Sequence, residues 1–144
     1  MMMAMVSIAL GGIFASCEKD ETSYSKEQVV GKWDVQKIET DGEMMEVSGL
    51  GEICWIFRSD STFTMRSHKN GAPEDEVSEL SGTWRVSGSS IILTKDGVTE
   101  PITIIELTQQ TMVLKIAAKT LYEDGHIEEE ISYVYMTRDE TYQE

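Results

Sequence analysis

Few residues in this 144-residue chain have the chemistry that catalysis requires. The chain contains two cysteines, Cys17 and Cys54, and two histidines, His68 and His126. Nucleophilic catalysis needs a nucleophile, a neighbouring base and a third group that orients the base. The sequence has no G-x-S-x-G segment, no phosphate-cradling loop and no calcium-loop spacing. We therefore expect a protein that is not an enzyme and that has neither a metal nor another cofactor.

The carboxylates are concentrated in three segments. Residues 39–52, 74–79 and 121–130 hold 14 of the 26 acids and no lysine or arginine. The remaining 12 acids balance 12 bases, so the formal net charge of -14 belongs to these segments. Nucleic acids and anionic lipid surfaces attract positive charge. The composition thus excludes nucleic acid as a partner and argues against direct attraction to a membrane surface.

The first 16 residues (MMMAMVSIALGGIFAS) contain no charged side chain. Their apolar run is shorter than the roughly 20 residues of a membrane-spanning helix, which is typical of a secretory signal peptide. The sequence FASC at 14–17 resembles the lipobox of bacterial lipoproteins, in which cleavage precedes acylation of the cysteine. EKDE at 18–21 resembles the signal that carries some of these proteins to the outer face of the outer membrane.

This resemblance implies that residues 1–16 are removed, that Cys17 carries the acyl chains, and that 17–24 form an acidic tether. It also implies a lipid-anchored, surface-exposed location on the outer membrane, with a periplasm-facing orientation as the alternative. Several acyl chains hold a soluble domain on a bilayer without a helix. The competing interpretation is an ordinary signal peptide, which leaves Cys17 a free thiol. Cys54 lies in an apolar run and is expected to be buried.

From residue 31 onward, β-branched and aromatic residues alternate with polar ones between turn residues, which predicts a series of strands. Asp41-Gly42, Gly88-Ser89 and Asp96-Gly97 are typical of tight turns. Ser25 and Gln28 fit a capping box and predict a short helical turn before the first strand. Eight strands with short connections favour an all-β, up-and-down antiparallel barrel. The predicted strands are 31–40, 52–59, 61–69, 78–87, 90–95, 98–107, 111–121 and 127–138.

Gly31-Lys32-Trp33 resembles the Gly-x-Trp signature of lipocalins, and Arg138 matches the arginine that this family packs across its tryptophan. FRSDSTF at 57–63 and GTW at 82–84 are similar to hairpins of small bacterial lipocalin-like lipoproteins. The resemblance implies a lipocalin-like barrel domain over 25–144, although Ser61 stands where that turn usually has glycine. In a closed meander the first and last strands are neighbours, so Trp33 and Arg138 are expected to meet and close one end.

Period-two alternation selects the side chains that are expected inside the barrel. Most are bulky and apolar, and they either fill the interior or line a ligand cavity. In a cavity, the tyrosine hydroxyls and Lys37, on the face of Trp33 and Val35, are the expected polar groups. The candidate ligand-binding residues are Lys37, Trp55, Phe57, Phe63, Met65, Trp84, Met112, Leu114, Tyr133 and Tyr135.

Alternate connections of a meander share an end, so the three acidic segments are expected at the end opposite Trp33 and Arg138. Solvated turns are commonly acidic without a function. The sharper hypothesis is a mouth that repels anions and favours neutral or cationic amphipathic ligands, or that weakly binds Ca²⁺. The residues chosen for this acidic mouth are Glu74, Asp75, Glu76, Glu123, Asp124, Glu128 and Glu129.

The sequence therefore predicts an outer-membrane lipoprotein whose lipocalin-like barrel binds a small apolar or amphipathic molecule. The membrane is expected to be contacted through the lipid anchor only. The alternative is a solid-core interaction module that docks an envelope or extracellular partner protein. A barrel enzyme is a third hypothesis, and it would need converging polar groups in a cavity.

Overall fold

The computed structural model describes residues 23–47, 49, 51–73 and 75–144. The predicted signal peptide, Cys17, most of the tether and Glu74 lie outside the described residues. In the part that is described, no helix is long and apolar enough to cross a bilayer. One short helix, α1 (Lys26–Val29), precedes the strands. The strands are β1 (Gly31–Thr40), β2 (Glu43–Glu46), β3 (Gly51–Phe57), β4 (Thr62–Lys69), β5 (Ser78–Ser87), β6 (Ser90–Lys95), β7 (Val98–Leu107), β8 (Thr111–Leu121) and β9 (Ile127–Arg138).

Eight of these strands close into an antiparallel barrel. Their order in the sheet is β9-β8-β7-β6-β5-β4-β3-β1-β2, and β9 also pairs with β1 to complete the ring. The short β2 pairs with residues 37–40 of β1, beyond the segment of β1 that pairs with β3. The predicted eight-stranded up-and-down barrel is confirmed, with β2 as an additional strand. Six of the eight predicted strands have the bounds found in the structure, and the other two differ by one or two residues.

Local sequence accounts for the turns that join the strands. Asp41-Gly42 and Asp96-Gly97 have positive φ at both positions, as a type I′ hairpin turn requires. Ser61 also has a positive φ, 74°, and its hydroxyl accepts a hydrogen bond from Lys26 Nζ (2.8 Å). This bond ties the β3–β4 turn to α1. The backbone N–H of Ser25 donates to a side-chain oxygen of residue 28 (2.7 Å), which is the reach-back bond of the predicted capping box.

Arg138 and α1 close the lower end of the barrel. The guanidinium carbon of Arg138 lies 4.2 Å from the ring centroid of Trp33. Its Nη1 donates to the backbone carbonyl of Val30 (2.7 Å), its Nη2 to that of Gln28 (2.9 Å) and its Nε to that of Gln109 (2.7 Å). The Arg138 side chain thus connects the last strand to the helix and to the β7–β8 turn. It also covers Trp33, so the predicted contact between these two residues is confirmed.

Candidate binding site at the open end of the barrel

The lower part of the barrel interior is a packed aromatic and aliphatic core. The ring of Phe57 lies 5.1 Å from that of Trp84, 5.9 Å from that of Trp55 and 6.5 Å from that of Phe63, measured between centroids. Phe57 has no exposed surface and Phe63 is 1% exposed. These side chains therefore fill the closed end instead of lining a void there.

Above this core, the apolar side chains on the interior face are less buried. Met45 is the cross-strand partner of Ile38, and Leu80 is the partner of Met65, so each pair shares a face of the sheet. Met45 is 46% exposed and Leu80 is 39% exposed, whereas their partners pack against the core. We call this set the upper cup: Ile38, Met45, Ile53, Met65, Leu80 and Ile116.

Val47 is a buried residue beside the point where β1 and β3 separate. It follows β2 and is 1% exposed, within the main hydrophobic core. Its N–H donates to the carbonyl of Gln36 (3.0 Å), and its own carbonyl accepts from the N–H of Gly51 (3.1 Å). These two hydrogen bonds connect Val47 to β1 and to the first residue of β3.

The expected inward placement of Lys37 is wrong because β1 contains a β-bulge. Val35 pairs with Met136 while Lys37 pairs with Tyr135, so Gln36 is an extra residue in β1. An extra residue reverses the alternation that follows it. The ammonium of Lys37 consequently lies on the outer face, 5.1 Å from the centroid of the Tyr135 ring.

The expected inward placement of Tyr133 and Tyr135 is also wrong. The buried residues of β9 are Val134 and Met136, at 5% and 2% exposure, and the tyrosines alternate with them on the outer face. The hydroxyl of Tyr135 donates to Glu39 Oε1 (3.2 Å), and partial burial is the main cause that raises the pKa of this phenol. At residues 133–136 both alternating sets are apolar or aromatic, so the pattern alone does not decide between them there.

The other seven candidates for ligand binding face the interior. Six of them are at most 4% exposed and form the lower core, which leaves them covered by neighbouring side chains. These six are Trp55, Phe57, Phe63, Trp84, Met112 and Leu114. Met65 is partly buried and lies in the upper cup. Ile38, Met45 and Val47 are not among the predicted interior residues, because neither the bulge in β1 nor the short β2 has a distinct sequence pattern.

The three acidic segments lie at the upper end, around the upper cup. The connections from β1 to β3, from β4 to β5 and from β8 to β9 all share this end in the antiparallel order. The described residues of the acidic mouth are exposed. These are Asp75, Glu76, Glu123, Asp124, Glu128 and Glu129. Carboxylates with this exposure surround the opening with negative charge.

The two histidines have separate partners in the upper turns. His126 stacks on Tyr122 with centroids 4.5 Å apart, and its Nε2 lies 3.1 Å from Glu128 Oε2. Its N–H and its ring also contact Asp124, and these hydrogen bonds lower the pKa of that carboxyl. His68 Nε2 lies 3.1 Å from a backbone carbonyl of the β4–β5 connection. Among the described residues, no three His, Cys, Asp or Glu side chains could hold a metal ion.

Two recesses open on the outer surface, and the lining of the smaller one includes Ile53 of the upper cup. The larger, of about 910 Å³, is at the closed end beside Arg138 and Tyr142. The smaller, of about 310 Å³, lies on the wall between β1, β3 and β4, where Cys54 is buried at 8% exposure. Burial is the main cause that raises the pKa of this thiol, which is the condition of an inert structural cysteine.

An up-and-down barrel with one closed end and an apolar, partly open interior defines a class of small-molecule-binding proteins. The chain belongs to the lipocalin-like domain family, whose sequence model matches residues 29–114. This match contains most of the packed core and most of the upper cup. The fold is accordingly a lipocalin-like barrel, consistent with the binding of small hydrophobic ligands.

Solved structures with a similar chain path include bovine proteins. The bovine lipocalin allergen Bos d 2 is 11% identical, with 83% of this chain and 79% of that chain covered and a TM-score of 0.48. Bovine odorant binding protein complexed with its natural ligand is 9% identical, with 84% and 77% covered and a TM-score of 0.45. The complex of that protein with undecanal is 10% identical, with 85% and 77% covered and a TM-score of 0.44. No curated protein matches the chain in sequence.

Proposed function

We propose that this protein binds one small apolar or amphipathic molecule in the upper cup and acts by binding instead of catalysis. The observation that supports this most is the gradient of burial along the interior. Core side chains are at most 8% exposed, whereas Met45 and Leu80 on the interior face are 46% and 39% exposed. Apolar surface left in water costs about 25 cal/mol per Å², which a ligand in the cup would recover.

Polar groups at the edge of the cup fit the head group of an amphipathic ligand. The hydroxyls of Thr40 and Ser132 lie 2.9 Å apart, and Ser67 and Ser78 are paired on the interior face beside Ile53. These hydroxyls can donate to or accept from a neutral head group. The acidic mouth disfavours an anionic head group. We therefore propose a neutral or cationic ligand with an apolar body.

Met44 and Met45 provide a matched test of the upper cup. They are neighbours on β2 with 47% and 46% exposure, and they point to opposite faces. Met45→Asp should weaken binding of the neutral fluorescent probe N-phenyl-1-naphthylamine about tenfold, since it places a charge in the cup. Met44→Asp should change the dissociation constant less than twofold. Equal effects of the two substitutions in a fluorescence titration would place the probe outside the cup and refute the proposal.

We also propose that Cys17 is acylated and anchors the protein to the outer membrane, with the barrel exposed. The support is the lipobox-like sequence, and the position of Tyr24 indicates the orientation of the barrel. The N–H of Tyr24 donates to the carbonyl of Gly88 (3.0 Å) in the β5–β6 turn, which is at the closed end. An anchor at Cys17 would therefore direct the closed end to the membrane and leave the acidic mouth facing away.

Metabolic labelling tests the anchor. Cells that produce the full chain and are fed radioactive palmitate should incorporate label into the wild-type protein, and Cys17→Ser should abolish it. Cys54→Ser is the matched control and should retain the label, because that thiol is buried. Label that persists in Cys17→Ser, or that is absent from the wild type, would contradict the anchoring proposal.

A further inference from the structure

The outer face of β8 and β9 is apolar over most of its length. Leu121 and Ile127 are cross-strand partners and are 71% and 63% exposed. The same face continues along both strands, in alternation with the buried residues Leu114 and Val134. We call this set the outer band: Val113, Ala117, Leu121, Ile127, Ile131, Tyr133 and Tyr135.

The upper part of the outer band lies on a two-stranded arm. The pairing of β8 with β7 ends at Lys115 and Thr103, and that of β9 with β1 ends at Ser132 and Thr40. β8 and β9 nevertheless remain paired with each other as far as the turn. Beyond these points each strand of the arm pairs only with the other among the described strands. An exposed apolar face on such an arm is accessible to another molecule.

Charge distinguishes the outer band from the rest of this acidic chain. Three lysines and four glutamates lie on the same outer face, as their cross-strand pairing with the band residues or with each other shows. Lys37 and Glu39 also contact Tyr135 directly. A face on which the two signs nearly balance can pack against a copy of itself with little net repulsion. These seven residues are Lys37, Glu39, Glu46, Glu106, Lys115, Lys119 and Glu129.

We propose that the outer band binds a second copy of this chain in a symmetric dimer. The proposed two-fold axis is parallel to β8 and β9 and lies above the outer face, midway between the two strands. It places each residue of the outer band opposite the residue of the second copy that corresponds to its cross-strand neighbour. Lys119 then meets Glu129 of the second copy, and Leu121 meets its Ile127. In this arrangement both closed ends point the same way, as two copies on one membrane require. The dimer itself does not depend on the proposed ligand.

The size of the outer band indicates a weak dimer. About a dozen outward positions, each about 4.8 by 6.8 Å, cover about 400 Å² of sheet per copy. Stable interfaces bury about 800 Å² on each side, so we expect a dissociation constant in the micromolar range or weaker. Two copies confined to one membrane would associate more readily, because confinement raises their effective concentration.

Sedimentation equilibrium of the full chain in density-matched detergent tests this dimer. Lys119→Glu should raise the dissociation constant at least tenfold, since it places two glutamates opposite each other at two symmetric positions. The exchange of both charges, Lys119→Glu with Glu129→Lys, should restore it to within threefold of the wild type. Arg85→Glu is the matched control: it makes the same charge change at an exposed position of β5, and it should have little effect.

An apolar pair of variants gives a second measurement. Leu121→Ser combined with Ile127→Ser should abolish the dimer, whereas Val98→Ser, at a residue that is 63% exposed outside the outer band, should preserve it. A wild-type chain that remains monomeric up to about 1 mM would overturn the proposal. So would a dimer that survives the Leu121 and Ile127 changes, or one that the exchanged charges fail to restore after Lys119→Glu weakens it.

Discussion

Replacement of Arg138 with methionine is expected to lower the free energy of unfolding by about 3 kcal/mol. The substitution removes three hydrogen bonds of 2.7–2.9 Å from the guanidinium to the backbone carbonyls of Gln28, Val30 and Gln109. A hydrogen bond from a charged donor contributes about 1.5 kcal/mol to stability. The bonds to Gln28 and Gln109 contribute less than this, because both are exposed to water. The contact with the Trp33 ring at 4.2 Å adds about 1 kcal/mol.

Urea unfolding of the purified protein, followed by tryptophan fluorescence, measures this loss. Arg138→Lys should recover less than half of it, because one ammonium cannot reach three carbonyls on separate elements. Arg85→Met is the matched control, since Arg85 is exposed on β5, and it should cost less than about 0.5 kcal/mol. Similar losses for Arg138→Met and Arg85→Met would mean that Arg138 does not close the barrel.

Phe57→Ala is expected to lower the free energy of unfolding by about 4 kcal/mol, the largest effect of any substitution considered for this protein. Phe57 has no exposed surface, and its ring lies within 6.5 Å of three other aromatic rings. Truncation of a buried phenylalanine removes its transfer free energy and leaves a cavity, which together cost about 3–5 kcal/mol. The packed closed end gives its neighbours little room to collapse into the space.

Phe57→Leu is the matched control for the same position. It keeps most of the apolar volume and should cost about 1–1.5 kcal/mol in the same urea titration. The ratio between the two substitutions measures how tightly the lower core is packed. A loss below about 1.5 kcal/mol for Phe57→Ala would show that the closed end is loosely filled.

The strands and the closed end could be predicted because their signals are local or depend on topology alone. Tight-turn dipeptides such as Asp41-Gly42 mark the turns of the hairpins. The alternation of apolar and polar residues marks the strands between these turns. The contact of Trp33 with Arg138 follows once eight antiparallel strands close, because the first and last strands are then neighbours. Neither inference required knowledge of how side chains pack.

The upper part of the site could not be predicted for two physical reasons. A single inserted residue, Gln36, reverses the face of Lys37, and nothing in the residue type of a bulge position marks it. At residues 133–136 of β9 both alternating sets are apolar or aromatic, so the choice of Val134 over Tyr133 for the interior depends on register with β1. The tyrosines expected in a ligand cavity are instead part of the outer band.

Native mass spectrometry of the protein purified from its own cells tests the central proposal, a ligand in the upper cup, most directly. Denatured spectra of the same sample give the mass of the chain with every covalently attached group, so any excess in the native spectrum is non-covalent. We predict an excess of one small molecule, neutral or cationic, that is present in Met44→Asp and lost in Met45→Asp combined with Leu80→Asp. A native mass equal to the denatured mass, or an excess that the combined variant retains, would contradict the proposal.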